Sequence, residues 1–422
     1  LAQAMSVLRI APRSRPVEAV VRPPGSKSLT NRALVVASLA RGGVSKLWDP
    51  LEAEDTQVMR RALRAFGVMI DDVDDPWLVL GTGGELSLPS TVVDVGASGT
   101  TARFLTALSA LVPGRVALDG TRRMRERPIA ELAEALTSLG AAVDTSGGFP
   151  PVVVEGTVRG GRVVVDASRS SQFLSALLMI GPMLPEGLEV IPRGKVVSRP
   201  YVVSTIEVME GFGAQVEEGG DGWRVRPGGY LNASYEIEAD ASAAVYPLVA
   251  AALVGGVVAV DGIPEGSTQA DLAALEVLAA MGCTVQHSGN RILLQAPSGR
   301  LQPVDVDMGD APDAVLALSV ACLFADGESR MRNVGNLRLK ETDRLSALET
   351  ELRRIGGRAR VEGDDLVVGP GRLTGARVET YDDHRMAMSF ALAGLVVDGI
   401  EISDPDCVAK TWPGFFDMLE KL

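Results

Sequence analysis

Apolar positions recur at three- and four-residue spacing in five stretches of this chain: MRRALRAFGVMID, LAEALTSLGAAVD, IEVMEGFGAQVE, LEVLAAMGCTVQ and LETELRRIGGRARVE. Each predicts a helix that closes on an apolar residue plus glycine, followed by a short alternating strand. The glycines, Gly67, Gly140, Gly213, Gly282 and Gly356, stand where a left-handed helix stop is expected. Helices ending in Leu-Gly are common in α/β proteins, so the spacing matters more than the stop itself. The separations are 73, 73, 69 and 74 residues. Such a period points to duplication of one folding unit, with PGFFDMLEKL as the truncated helix of a sixth. Six α/β units divide into two groups of three, which predicts two domains of similar size with a cleft between them.

Residues 241 to 260 carry no charge over 20 positions, long enough for a membrane span. Pro247 and the Gly255-Gly256 pair instead predict a buried helix, a turn and a strand. A length of 422 residues exceeds the usual limit of one core, again favouring two domains. With 46% hydrophobic and 23% charged residues the composition is that of a globular chain, and only 4% aromatics favours slim, closely packed helices. The net charge of −13 argues against nucleic acid or an anionic membrane as the main partner. Cys283, Cys322 and Cys407 have no metal-ligand spacing, and so sparse a count predicts a reducing cytoplasm without a disulfide framework. LAQAMSVLRIAPRSRP has no apolar segment of the length a secretory signal needs, and its opening Leu suggests added residues ahead of Met5.

If small anions are the substrates of so acidic a chain, cations must be gathered locally. Residues 22 to 34, RPPGSKSLTNRAL, resemble the end of a nucleotide-binding P-loop, but Ser26 and Val21 occupy the two positions where that loop needs glycine. What remains is a Pro-Gly turn delivering Lys27, Ser28 and Arg32, suited to an anion without specifying a nucleotide. In DVGASGTTARFL the amides of Gly99 and Thr100 open a helix-like run, where an anion is favoured. RMRERPI holds Arg127 outside a helix by placing it before Pro128, and Ser170, Ser171 and Gln172 stand where they could cap a helix or donate to a ligand.

NLRLKETDRLSALETELRRIG gathers Lys340, Glu341, Asp343 and Arg344 at a helix start, where an exposed salt-bridged surface is the plainer alternative. TYDDHRMAMSFAL sets Asp382, Asp383, His384 and Arg385 just before an apolar helix; the second histidine, His287, follows an expected strand and reads as surface. Lys410, between small residues in DCVAKTWPGFF, needs a partner.

Taken together, PPGSKSLTNRAL, SSQFLSALLM, NLRLKETDR, YDDHRMAM and CVAKTWP resemble the 5-enolpyruvylshikimate-3-phosphate synthase family, in the family's order and over nearly the whole chain. The resemblance implies a two-domain inside-out α/β barrel of six βαβαββ repeats, three per domain, around pseudo-threefold axes. It assigns residues 1–24 and 239–422 to one domain and 25–238 to the other, with the active site in the interdomain cleft. It also implies a cytoplasmic monomer that transfers the enolpyruvyl group of phosphoenolpyruvate to the 5-hydroxyl of shikimate 3-phosphate, releases phosphate, and uses no metal or organic cofactor. Closure on binding shikimate 3-phosphate is part of the same expectation.

Carried over by motif, Lys27, Ser28, Arg32, Ser170, Ser171, Gln172, Ser198 and Tyr201 would bind shikimate 3-phosphate, and Asp313, Asn336 and Lys340 would orient its ring. Phosphoenolpyruvate would meet Lys27, Gly99, Arg127, Gln172, Arg344, Arg385 and Lys410, since its carboxylate and phosphate suit bidentate guanidinium donors. Glu341 is expected as acid and base at C3, Asp313 as the group that takes or orients the 5-hydroxyl proton together with Lys27, and His384 and Asp383 as support.

The chain departs from the family at the loop commonly read Asn-Ala-Gly-Thr-Ala-Met-Arg-Pro: Ala97, Thr101, Ala102 and Phe104 replace Asn, Ala, Met and Pro. Reduced sensitivity to glyphosate, the family's inhibitor at the phosphoenolpyruvate site, is the expectation. Two other readings stay open: UDP-N-acetylglucosamine enolpyruvyl transferase, which uses a loop Cys, and a non-catalytic anion-binding repeat scaffold.

Overall fold

The five repeat glycines all stop helices in the left-handed region, with φ of 85°, 105°, 83°, 100° and 89° at Gly67, Gly140, Gly213, Gly282 and Gly356. A side chain at such a position costs about 1 kcal/mol. In the computed structural model, which describes residues 6–422, the helices they stop are Glu54–Ala65, Ala130–Ser138, Pro200–Gly211, Ala273–Ala280 and Arg344–Arg354. A strand follows each: Met69–Asp71, Ala142–Thr145, Val216–Gly219, Thr284–Ser288 and Arg358–Glu362. The truncated sixth helix is Phe415–Lys421. The expectation about residues ahead of Met5 lies outside the described residues.

The sheets repeat with the helices. Among the described residues, five four-stranded sheets share one pattern, a parallel outer pair continued by two antiparallel neighbours. A sixth sheet is shorter: Arg377–Val378 lies parallel to Glu401–Ser403, which pairs antiparallel with Val7–Arg9. The fold is therefore mixed α/β, built from repeated small mixed sheets.

The residues form two compact units, Gly25–Glu238, and the segment up to Pro24 together with Ala239–Leu422. Strand pairing explains why the first segment joins the last: Val17–Val21 lies parallel to Gly256–Asp261. The first unit closes on itself in the same way, Ser234–Glu236 returning beside Val44–Trp48.

Each unit has its own core around three helices buried along nearly their whole length. These are Lys27–Leu39, Gly99–Ser109 and Gln172–Ile180 in the first unit, and Ala241–Val254, Val315–Cys322 and His384–Gly394 in the second. A helix covered on every side is apolar all round, so the polar residues its sequence retains call for partners. The uncharged run resolves as expected into Ala241–Val254, Gly255 at φ 91° and the strand Gly256–Asp261. No helix among the described residues is long and apolar enough to cross a membrane.

Two local expectations need correction. His287 lies within the strand Thr284–Ser288, half-buried, its Nε2 3.0 Å from the Ile263 carbonyl oxygen, because the loop after the strand Gly256–Asp261 supplies an acceptor that periodicity cannot reveal. Ser171 occupies the helix N-cap position but its side chain makes no capping bond; the Gln172 amide donates instead to Ser170 Oγ, 3.2 Å away.

Candidate active site

In the unit Gly25–Glu238 the site begins where Gly25 packs on the backbone at Asp49, so close that a Cβ would sit 2.1 Å from the Asp49 carbonyl oxygen. That approach fixes the start of the helix Lys27–Leu39. Lys27 Nζ lies 3.6 Å from Asp55 Oδ2. One turn on, Arg32 is only 2% exposed. Its Nε donates to Thr205 Oγ1 at 2.7 Å, Nη1 to the Ser28 carbonyl at 2.9 Å, and Nη2 to the Tyr201 carbonyl at 3.2 Å. Its Cζ lies 5.3 Å from the Phe104 ring centroid and 5.9 Å from that of Tyr201. Burial lowers its pKa to about 10, against smaller opposing effects of Tyr201 and Tyr235. Among the described residues no carboxylate pairs with it, so this buried cation is met by neutral dipoles alone.

Neighbouring segments extend the cluster. Gln172 Nε2 donates to Thr100 Oγ1 at 3.4 Å, and the Tyr201 amide donates to the Ser198 carbonyl at 3.1 Å. Gly99 opens the helix Gly99–Ser109, against the guanidinium of Arg127: a Cβ on Gly99 would stand 2.5 Å from Arg127 Nη2. Arg103 braces this corner, donating to the Gly99 carbonyl at 3.2 Å and the Pro128 carbonyl at 2.6 Å. The structure thus gathers Ser28, Arg32, Gly99, Arg127, Gln172, Ser198 and Tyr201 around one set of helix starts.

The other unit holds an ion-pair network rather than the exposed salt-bridged helix start that composition allowed. Arg344, at the first turn of Arg344–Arg354, is 1% exposed. Nε and Nη2 grip Asp383 at 2.7 and 3.1 Å, Nη1 donates to Asp313 Oδ1 at 2.9 Å, and Nη2 lies 2.8 Å from Glu341 Oε2. Burial opposes its charge, but Asp383, Glu341 and Asp313 outweigh that and raise its pKa well above the usual arginine value. Asp313 also meets Lys340 Nζ at 3.3 Å and Arg385 Nη2 at 3.1 Å. Lys410, which needed a partner, has Glu341 Oε1 at 3.5 Å.

Asp383 and His384 are wholly buried, which sets them behind this network rather than on its accessible face. His384 Nδ1 is 3.7 Å from Asp383 Oδ1. Asn336 Nδ2 donates to the Gly309 carbonyl at 3.4 Å, while its shielded Oδ1 has no hydrogen-bond partner among the described residues.

Left-handed backbone at residues other than glycine follows the candidate segments. It occurs at Asp49 beside Gly25, at Ser198, at Asn333 before Asn336, at Tyr381 and Asp382 before Asp383, and at Asp404 before Lys410. Such conformations persist where the surroundings over-determine them, and they concentrate at functional sites. At one of them the restraint is visible: the buried Glu351 carboxylate accepts from Tyr381 Oη at 2.7 Å and the Glu379 amide at 3.2 Å. Asp55, Thr205 and Glu351 escaped sequence reasoning, because each stands in an ordinary helical context. Burial pushes Cys283 and Cys322 up to about 11 and about 12, and Cys407 higher still, so none is a ready thiolate.

Residues 12–419 match the family model of EPSP synthase (3-phosphoshikimate 1-carboxyvinyltransferase). The 3-phosphoshikimate 1-carboxyvinyltransferase of Thiobacillus denitrificans is 42% identical over 431 aligned positions, covering 99% of this chain and 100% of the relative. That of Nostoc punctiforme is also 42% identical, with 99% and 100% covered. Among solved structures, EPSP synthase from Acinetobacter baumannii matches with a TM-score of 0.80 at 25% identity over 98% of each chain. With the family model spanning nearly the whole chain and relatives aligned end to end, this chain belongs to the EPSP synthase family, the 3-phosphoshikimate 1-carboxyvinyltransferases.

Proposed function

We propose that this chain transfers the enolpyruvyl group from phosphoenolpyruvate to the 5-hydroxyl of shikimate 3-phosphate with release of phosphate. This is the EPSP synthase activity of the shikimate pathway. Lys27, Ser28, Arg32, Ser170, Ser171, Gln172, Ser198 and Tyr201 hold shikimate 3-phosphate, while Asp313, Asn336 and Lys340 orient its ring. Arg127, Arg344, Arg385 and Lys410, with Lys27, Gly99 and Gln172, take phosphoenolpyruvate. The reaction proceeds by addition and elimination through a tetrahedral intermediate: the 5-oxygen bonds to C2 as its proton passes to Asp313 and C3 gains a proton from Glu341. Elimination then returns the C3 proton to Glu341 as the C2–O bond to phosphate breaks, and the proton on Asp313 is lost to solvent with the departing phosphate. The protein acts as a monomer. In architecture, each unit is an inside-out barrel of three βαβαββ repeats about a pseudo-threefold axis, a reading supported by the recurring sheet pattern and the three central helices.

The observation that carries the mechanism is the buried Arg344 guanidinium, which reaches both proposed proton carriers, Asp313 at 2.9 Å and Glu341 at 2.8 Å. Phosphate release from phosphoenolpyruvate tests it, with shikimate 3-phosphate in one reaction and UDP-N-acetylglucosamine in the other. Release with shikimate 3-phosphate alone is expected. Release with the nucleotide sugar alone would move the chain to the other transferase, against which the three protonated thiols already speak.

Gly99 gives a local check. The residue is helical rather than left-handed, so Ala fits the backbone, but its Cβ must displace the Arg127 guanidinium from 2.5 Å. G99A should leave the melting temperature within about 2 °C and raise KM for phosphoenolpyruvate about tenfold, a loss of ~1.4 kcal/mol. An unchanged KM would separate Arg127 from that substrate.

Reduced glyphosate sensitivity belongs to the same proposal. Thr101 Oγ1 donates to Ser98 Oγ at 2.8 Å and Phe104 stacks near Arg32, so two departures from the family's loop re-anchor this helix start. The expected inhibition constant lies above the KM for phosphoenolpyruvate; a value well below it rejects the expectation.

A further inference from the structure

Asp271 is a carboxylate that none of the proposed roles uses, yet it lies at the base of the network. It sits in the short 3-10 helix Ala270–Leu272 and is 3% exposed, with neutral donors among its partners. Ser242 Oγ donates to Oδ2, and the Ala314 amide donates to Oδ1 at 3.1 Å. Ala314 follows Asp313, so the second bond fixes the peptide that carries the proposed base. Four segments of one unit converge here. The start of Ala241–Val254 brings Asp240 and Ser242; the turn before Val315–Cys322 brings Asp313; the start of His384–Gly394 brings Arg385; and Asp271 completes the set.

We propose that Asp271 is a positioning residue for Asp313, holding its backbone through the Ala314 amide and, when ionised, raising the proton affinity of the Asp313 carboxylate. The inference rests on the reading of Asp313 as the group that takes the 5-hydroxyl proton. Asp313 is contacted by Lys340, Arg344 and Arg385, and three cations around a carboxylate weaken it as a base. A second negative charge behind it works in the opposite direction. From the Asp271 side, burial first, and then the charges of Asp313 and Asp240, against Arg385 and the Ser242 hydroxyl, push its carboxyl up to about 6.

The sign follows. Asp271 takes up protons in the folded chain at a pH where the unfolded chain has already lost them. Stability is therefore given up as pH rises from the usual carboxylate value of 3.8 through about 6. Above that window the ionised form strengthens Asp313; below it the chain is more stable and the base weaker.

D271N tests this. The amide keeps an acceptor for the Ala314 N–H and turns a donor toward Ser242 Oγ, so the geometry survives and the charge does not. The expected results are a kcat lower by about tenfold, the equivalent of one pKa unit, a lower KM for phosphoenolpyruvate because the network gains net positive charge, and an acid limb of the pH–rate profile displaced to lower pH. The melting temperature at pH 8 should rise above that of the parent protein. S242A keeps the charge but deletes a bond that favours ionisation, so its acid limb should move to higher pH. A D271N kcat within twofold, or acid limbs of both variants superimposed on the parent's, would overturn the proposal. If the parent protein releases no phosphate, the functional reading fails on its own, and a D271N/D313N double-mutant cycle in thermal unfolding at pH 8 still reads the coupling. Additive effects there would reject it; coupling sustains it.

Discussion

Replacing Glu341 with Gln is expected to lower turnover by about a thousandfold while leaving the dissociation constant for shikimate 3-phosphate within about threefold, the signature of a lost proton carrier. The change is nearly isosteric. The Gln carbonyl can still accept from Arg344 Nη2 where Glu341 Oε2 lies at 2.8 Å, and Arg344 keeps Asp383 and Asp313 as counter-charges. Folding should thus survive, and the buried guanidinium stays paired. What disappears is a carboxylate held between Arg344 and Lys410, the group proposed to give C3 its proton and to take it back. Exchange of the C3 hydrogens of phosphoenolpyruvate with deuterated solvent, followed by NMR, isolates that step from phosphate release. Wild-type turnover in E341Q removes Glu341 from the role; loss of substrate affinity in step with turnover makes it a binding group.

The repeat was legible because its signal is local. A helix stop at Gly67 or Gly213 requires φ near 85°, which glycine supplies most cheaply, and the requirement recurs at the period of the repeat. Lys340, Glu341, Arg344 and Arg385 were legible as a dense charge cluster at helix starts, but the burial of Arg344 and Arg385 was not. Charge spacing along a helix does not distinguish a solvated surface from Arg344 at 1% exposure with carboxylates from three segments around it. Asp271 illustrates the limit. STQADL reads as an ordinary acidic helix entry, and only the meeting of Ser242 and Ala314, far apart in sequence, gives the carboxylate a setting. The motifs named the cations and the acids alike; the tertiary structure showed which acid holds which cation.

Removing the positive charge at Arg32 is expected to cost more in ligand binding than in folding. The guanidinium is buried, donates to Thr205, Ser28 and Tyr201, and is not paired with a carboxylate among the described residues. A cation desolvated against neutral dipoles is not a stabilising choice for the empty protein, as its pKa of about 10 attests. The missing counter-charge is, on the proposed function, an anionic group of shikimate 3-phosphate. R32M fills a similar volume and removes the charge, so the ligand-free melting temperature should change by no more than about 3 °C. Affinity for shikimate 3-phosphate should fall by about a hundredfold or more, ~3 kcal/mol, the usual loss when one member of a buried charge pair is deleted. Thermal unfolding with and without the ligand measures both at once: the parent protein gains stability on binding, and R32M should gain almost none at the same concentration. A variant that unfolds without ligand but binds normally when folded would reverse the assignment and make Arg32 a structural strut, its bonds to Thr205 and Tyr201 the reason for its presence.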